Sequence, residues 1–379
     1  MKLGLVFTLG MSAEQWHKQG LLSREMALYE RLLNDRFLEK VTWFTYGSNE
    51  NKIRSLVHPH IKIVSMPPYF VGRMGRFLYS FLMPFIRGKF FQELDVIKSN
   101  QMRGSWTALI AARRFKKIFY LRTGFTWSLL VPFHSQKTLM DRVASLIERF
   151  SYRYADTASV TSVYQKNFVQ EKYKVDASRI QVVPNFIDTG LFKPNKEIKK
   201  KENRIIFVGR LHSEKNLFNL IKALAGLPYE LDMYYGSDPL KKDLEKTAQQ
   251  AGSSIRFLGH VPNEKLPAIL NQYEVFVLPS HRENMPKALL EAMACGLCVL
   301  GSHVQGINEV VEHARTGWLV GTDSDSIRGG IKKLMTDKPL RQKLGMNAYT
   351  QMREGYSLEA VINKEKDVYK NMIRKASYP

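Results

Sequence analysis

At 379 residues the chain is long for a single core, so two domains of about 180 residues each are the default. With 44% hydrophobic and 24% charged residues it has ordinary globular composition, and no window reaches the roughly 20 uninterrupted apolar residues of a membrane span. The abnormal property is a net charge of +22, unevenly spread: residues 1–183 hold 28 Lys+Arg against 13 Asp+Glu, which predicts an anionic partner for the first half, whether membrane surface, phosphorylated lipid or nucleic acid.

Lys2 and the short apolar run Leu3 to Leu9 lack a signal-peptide layout and read as a first strand. A polar loop with Gly10 and Gly20 follows, then a helix over 22–33 with Leu22, Met26, Tyr29, Leu32 and Leu33 at helical spacing. Val41–Tyr46, Ile61–Val64, Asp95–Ile97, Ile118–Leu121, Ser159–Thr161 and Gln181–Val183 read as further strands, with a helical stretch around 105–115. This alternation predicts an α/β domain with a doubly wound parallel sheet over 1–183. Within it, 71–89 has an apolar centre flanked by Arg73, Arg76, Arg87 and Lys89, the composition of an interfacial helix, although a buried helix with basic ends has the same look.

Pro184–Pro194 breaks the rhythm, and Lys193, Lys196 and Lys199–Lys201 form a charged run that we take as the domain boundary. The alternation restarts with strand Arg204–Val208, helix 216–226, strand 231–235, helix 239–251, strand 255–258 and helix 263–271. Strand Val275–Leu278, a helix from Pro286 to Gly296, strand Cys298–Leu300, helix 307–313 and strand Trp318–Val320 complete a second doubly wound domain, 184–357. The amphipathic, basic tail 358–379 is long enough to return to the first domain. Cys295 and Cys298 form a C-x-x-C with no second pair for zinc, so buried thiols in a reducing compartment are expected.

The chemistry concentrates in Pro279–Gly296. A helix start presents unpaired N–H groups and about half a positive charge, a seat for phosphate. Glu283 before it and Glu291 in its second turn could accept hydrogen bonds from hydroxyls on either side of a diphosphate; out of context they would be a solvated and an ion-paired glutamate. Gly209–Asn216 also joins a strand to a helix, and Arg210 and Lys215 suit a diphosphate. Gln305–Glu309 is a third such junction, where Gly306 would allow close backbone approach or simply form a turn. Asp323-Ser-Asp325 offers a metal-binding D-x-D pattern but reads as a helix start with Ser324 or Asp325 as N-cap.

Together, G-R-L-x-x-E-K-N at 209–216, P-S-x-x-E-x-x-P-x-x-L-L-E-A-M-A-C-G at 279–296, G-x-x-E at 306–309 and T-G-W-L-V at 316–320 resemble the retaining glycosyltransferases of family 4. Val183–Asp188 is similar to that family's interdomain V-P-N-G-V-D. The resemblance implies the GT-B fold: two Rossmann-like domains facing across a cleft, the first binding acceptor, the second a nucleotide-diphosphate sugar, and a C-terminal helix crossing back. It implies that Arg210 and Lys215 neutralise the departing diphosphate, Glu283 orients donor-sugar hydroxyls, Glu291 holds the ribose, and loop 259–262, with His260 and Val261, contacts the base. Gly209, Met285, Pro286, Lys287 and Ala288 would complete the donor site. No metal and no cofactor is implied.

The family often places a histidine at a strand end of the first domain, whereas Leu121–Phe125 has none. Arg122 and Thr123 are the substitutes there, with His17 and Gly20 as further candidates for acceptor or donor-sugar contacts. The expectation is therefore retaining, metal-independent transfer from a nucleotide sugar, UDP-linked first, to a lipid-linked or membrane-proximal glycan, by a protein peripheral on the cytoplasmic face of the membrane. Alternatives are a nucleotide-sugar epimerase, for which no acid/base set is found, a phosphorylase, for which no pyridoxal-type lysine site is found, and a basic nucleic-acid or membrane binder. Gly72–Gly75 mimics a G-x-x-G nucleic-acid clamp, but no aromatic stacking pattern accompanies it.

Overall fold

The computed structural model describes residues 1–124, 126–129 and 139–377, with the side chains of 139–141 and 376–377 left undescribed. The chain divides into two compact units, one formed by Met1–Pro184 with Ile362–Pro379, the other by Asn185–Val361. Each is built on its own parallel sheet.

The first sheet comprises β1 Lys2–Val6, β2 Lys40–Phe44, β3 Ile61–Val64, β4 Val96–Ser99, β5 Ile118–Arg122, β6 Thr157–Val160 and β7 Ile180–Val182, in the order 3-2-1-4-5-6-7. Every pairing is parallel. The central strands are buried along almost their whole length because helices cover both faces, as parallel crossovers require. The second sheet comprises β8 Arg204–Val208, β9 Glu230–Tyr234, β10 Ile255–Gly259, β11 Val275–Leu278, β12 Cys298–Ser302 and β13 Trp318–Val320, in the order 10-9-8-11-12-13. All residues of β11 and β12 are buried, whereas the edge strand β10 alternates between half-buried and exposed positions.

Several local expectations are corrected. Residues 307–313 form turns, not a helix: Val311 N–H bonds Ile307 O, but Glu312 N–H turns to Thr316 Oγ1 at 2.9 Å and ends the winding after one turn. The stretch 263–271 is a 3-10 turn, Asn263–Lys265, and a short helix, Leu266–Leu270. Asp323 itself is the N-cap of helix Ser324–Thr336, its carboxylate accepting Ser326 N–H at 2.8 Å, so neither Ser324 nor Asp325 has that role. Helices Leu139–Tyr154 and Lys338–Gln351 were not anticipated. Among the described residues no helix is long and apolar enough to cross a membrane.

The last helix, Leu358–Ser377, belongs to the first unit from Ile362 onward. Lys98 of β4 is fully buried and ion-paired with Glu365, which also accepts Tyr120 Oη at 3.0 Å. Burial pushes the Lys98 ammonium down to about 8, against the attraction of Glu365. At the surface Lys366 reaches Asp35 at 2.7 Å.

Candidate active site

In the second sheet the strand order reverses between β8 and β11, so the connections leaving their carboxyl ends part and open a crevice where open α/β sheets bind ligands. Gly209–Asn216 leaves β8 at this point and Pro279–Pro286 leaves β11. The first connection is anchored by Gly209 N–H to Tyr234 O at 3.0 Å and Leu211 N–H to Ser237 O at 2.8 Å. It closes in a 3-10 turn, Ser213–Lys215, followed by Asn216 at φ 57°, a left-handed conformation asparagine tolerates. The Asn216 amide donates to Pro279 O at 2.9 Å and Thr322 O at 2.6 Å, tying together the ends of β8, β11 and β13.

That geometry brings Lys215 to Glu283, and the two form an ion pair with side-chain exposures of 13% and 10%. Ser280 Oγ donates to the same carboxylate at 2.7 Å, and Ser280 is held from behind by the Ser302 hydroxyl on its carbonyl. A second pair, Arg282 with Glu214 at 2.5 Å, joins the two connections again, alongside His281 N–H to Glu214 O at 2.8 Å. Burial would raise the Glu214 carboxyl, but the hydrogen bond and charge of Arg282 outweigh it and hold it low. Gly306, at φ 82°, packs against this loop so closely that a side chain would strike the carbonyls of Glu283 and Asn284. Arg210 is exposed at the end of β8.

The helix Lys287–Ala294 begins after Pro286, which is its N-cap and not its first helical residue, and whose ring makes no capping hydrogen bond. Its positive end therefore stands beside the Lys215–Glu283 pair. Met285 is buried, with Asn185 Nδ2 donating to its carbonyl at 3.3 Å, while Lys287 and Ala288 are half-buried. Leu289, Leu290, Ala292, Met293 and Ala294 are all buried, so the helix has apolar contacts on every side, not on one face. Glu291 is buried among them and accepts Asn263 Nδ2 at 3.2 Å. Asn263 follows the loop 259–262, in which His260 is exposed and Val261 half-buried, so that loop and Glu291 are mechanically linked. Beneath the site, the Asp232 carboxylate of β9 is buried and bound by Arg256 at 2.5 and 2.6 Å and by Tyr273.

Two family descriptions match. Residues 188–351 match glycosyl transferases group 1, and residues 37–191 match glycosyltransferase family 4. The chain belongs to this family. Its fold is GT-B: sucrose-phosphate synthase from Thermosynechococcus elongatus superposes with a TM-score of 0.81 at 20% identity, covering 99% of this chain and 100% of that one. The Anabaena protein HepE, in complex with UDP and glucose, superposes at 0.76 with 18% identity over 98% and 100%. An uncharacterized glycosyltransferase of Methanocaldococcus jannaschii is 29% identical, over 60% of this chain and 61% of its own length. The Campylobacter jejuni enzyme named GalNAc-alpha-(1->4)-GalNAc-alpha-(1->3)-diNAcBac-PP-undecaprenol alpha-1,4-N-acetyl-D-galactosaminyltransferase is 26% identical over 69% of this chain and 81% of its own. The Escherichia coli UDP-Gal:alpha-D-GlcNAc-diphosphoundecaprenol alpha-1,3-galactosyltransferase is 30% identical over 54% and 57%.

In the first unit of this family member, the strand order reverses between β1 and β4. His17 lies exposed in the last turn of a short helix, Ala13–Lys18, not in a loop as expected. Gly20 follows at φ 65°, its N–H on His17 O at 2.9 Å. Arg122 ends β5 and is half-buried; Thr123 is buried with its N–H on Ser159 O at 3.0 Å. Phe125 lies outside the described residues. Cys295 and Cys298 are free and buried, and desolvation pushes both thiols up to about 12, leaving them unreactive. Ser280, Asn263 and the Glu214–Arg282 pair were missed in the sequence. Of these, Ser280 and Glu214, like Asn216, had a signal as letters of the motifs that follow β11 and β8.

Proposed function

We propose that this chain is a retaining, metal-independent glycosyltransferase. It moves a hexosyl or N-acetylhexosaminyl group from a nucleotide-diphosphate sugar to a lipid-linked or membrane-proximal glycan, in cell-surface polysaccharide or glycoconjugate synthesis at the cytoplasmic face of a membrane. The observation that carries the reading is the Lys215–Glu283 pair in the loop that leads into helix Lys287–Ala294, at the strand-order reversal of the second sheet. UDP is the first base to test, since a UDP complex exists among the structural neighbours and UDP-Gal is the named donor of one relative. Two relatives are named for acceptors on an undecaprenol diphosphate, which supports the acceptor class.

Sugar transfer builds negative charge on the departing diphosphate while the anomeric carbon gains oxocarbenium character. Arg210, Lys215 and the helix start supply fixed positive charge where that negative charge grows, so a metal ion is not needed for it. Glu283 holds the Lys215 ammonium in place and offers its second oxygen to hydroxyls of the donor sugar. Glu291, steadied by Asn263, is placed to accept from the ribose.

The test is nucleotide release from a panel of UDP-, GDP- and ADP-sugars with EDTA present, alongside thermal stabilisation by each free nucleotide. One base responding in both assays supports the reading. Loss of turnover on chelation, restored by a divalent cation, removes metal independence. Silence of all three bases with a folded protein and a lipid-diphosphate acceptor removes the donor assignment.

A further inference from the structure

We infer that the helix layer on one face of the first unit's sheet is a docking surface for an anionic lipid bilayer, formed jointly by helices Gly72–Ile86 and Leu139–Tyr154. Right-handed crossovers put the connections β3 to β4, β4 to β5 and β5 to β6 on the same face of the sheet. Their helices pack side by side around Ser105–Phe115. Phe81 stacks on Trp106 with ring centroids 5.8 Å apart, Arg114 lies 4.9 Å from the centre of the Phe85 ring, and Arg113 donates to Tyr154 O at 2.5 Å.

Helix Gly72–Ile86 buries only Tyr79, Ser80, Met83 and Pro84. On its outer side Met74 is 69% exposed, Leu78 51% and Phe85 54%, with Phe77, Phe81 and Leu82 also exposed. Two helices along, Val143, Leu146, Phe150 and Tyr154 repeat at helical spacing and are likewise exposed. Side chains of this size do not stay in water in such number without a partner. Both stripes lie on the outside of one layer, so a flat apolar phase can meet them together with the helix axes in its plane.

Charge selects the occupant. Exposed Arg73, Arg113, Arg114, Arg142, Arg149 and Arg153 rim the stripes. From residue 55 to 140 the chain has 13 Lys and Arg against only Glu93 and Asp95. A second copy would bring like charge against like charge, and nucleic acid would leave the phenylalanines and leucines unburied; an anionic bilayer satisfies both features. The inference extends the membrane-proximal acceptor reading and rests on it only for its purpose, since binding can be measured without substrate.

The experiment is flotation of the full chain with phosphatidylcholine vesicles and with vesicles containing phosphatidylglycerol. Wild type, Met74→Ser/Leu78→Ser and Leu146→Ser/Phe150→Ser are compared, all with exposed positions and with thermal unfolding as the check on folding. The expected result is flotation of wild type only with phosphatidylglycerol, falling with salt, and about a tenfold or greater loss of partitioning in each pair of substitutions. No flotation at low salt overturns the proposal. So does an unchanged Leu146→Ser/Phe150→Ser variant, salt-sensitive nucleic-acid binding in place of vesicles, or a concentration-dependent dimer that those substitutions abolish. Nucleotide release from UDP-, GDP- and ADP-sugars with a detergent-solubilised lipid-diphosphate acceptor is read in parallel. Turnover without flotation sinks the docking surface alone; flotation without turnover sinks the transferase reading alone.

Discussion

Replacing Lys215 by Met removes the ammonium that the site holds against Glu283 and keeps the length of the side chain. Two effects follow, and their sizes can be separated. Glu283 is left with a carboxylate at 10% exposure and no cation, though Ser280 Oγ still donates at 2.7 Å. Breaking a fully buried pair costs about 3–5 kcal/mol; with partial solvent contact and one hydrogen bond retained, about 2 kcal/mol is the better figure. For a unit of this size that lowers its melting temperature by about 4–8 °C. The second effect is on the barrier. A fixed donor aimed at developing charge is worth about 100- to 1000-fold in turnover, so kcat for nucleotide release should fall by that factor. Glu283→Gln orphans the lysine instead, and the double substitution orphans neither, so its melting temperature should recover part of the sum of the single losses. The assays are nucleotide release under saturating donor and calorimetric unfolding of the four proteins. A Lys215→Met enzyme within threefold of wild-type kcat would refute the assignment of Lys215 to the leaving group. Strictly additive melting losses would refute the claim that the two side chains depend on each other.

Glu291→Gln should weaken free-nucleotide binding by about tenfold or more, the value of a charged hydrogen bond, with a smaller change in kcat; titration calorimetry reads the first and steady-state rates the second. Gly306→Ala forces the Glu283 loop to move, because backbone carbonyls at positions 283 and 284 occupy the space of the new carbon. It should depress turnover as strongly as Glu283→Gln, and unchanged rates would show that the loop yields at no cost. Asp232→Asn tests the scaffold under the site. Burial favours the neutral acid, but hydrogen bonds from Arg256 and Tyr273 outweigh it and hold the carboxyl below its ordinary 3.8. Its contribution is therefore complete above that value and is lost as pH falls through the lowered one. The variant should be less stable by about 3 kcal/mol at pH 7, and the wild-type and variant curves should draw together as pH falls below the ordinary 3.8. Parallel curves down to pH 2 would contradict that sign.

Long apolar runs made both sheets legible, because a strand covered on two faces has no polar side to confuse with a helix. Period failed where one turn mimics a helix. Ile307, Val310 and Val311 have the right spacing, but a hydroxyl at Thr316 captures the Glu312 N–H and stops the winding. The site was legible as a set of loop-to-helix junctions, and its pairing was not. Lys215 and Glu283 are separated by 68 residues, and their contact depends on which strands lie side by side, which the alternation alone does not order. Asn263 on Glu291 had no signal at all, since a lone loop asparagine has many possible acceptors.

The helix Leu139–Tyr154 shows the deeper reason why such gaps arise. Val143, Leu146, Phe150 and Tyr154 mark an apolar stripe in the letters, and a stripe is ordinarily the side a helix turns to its core. Here the buried side is built instead from Glu148, Ser151 and Tyr152. Glu148 accepts the N–H of Ser128 at 3.2 Å and the hydroxyl of Tyr173 at 2.6 Å, and Ser151 bonds Ser105 at 2.7 Å. These polar bonds dock the helix inward and so leave the apolar stripe outward. Periodicity reports that two sides differ, but which side meets the protein is decided by partners twenty or more residues away. An inverted helix of this kind in a globular protein is a statement about what lies outside it.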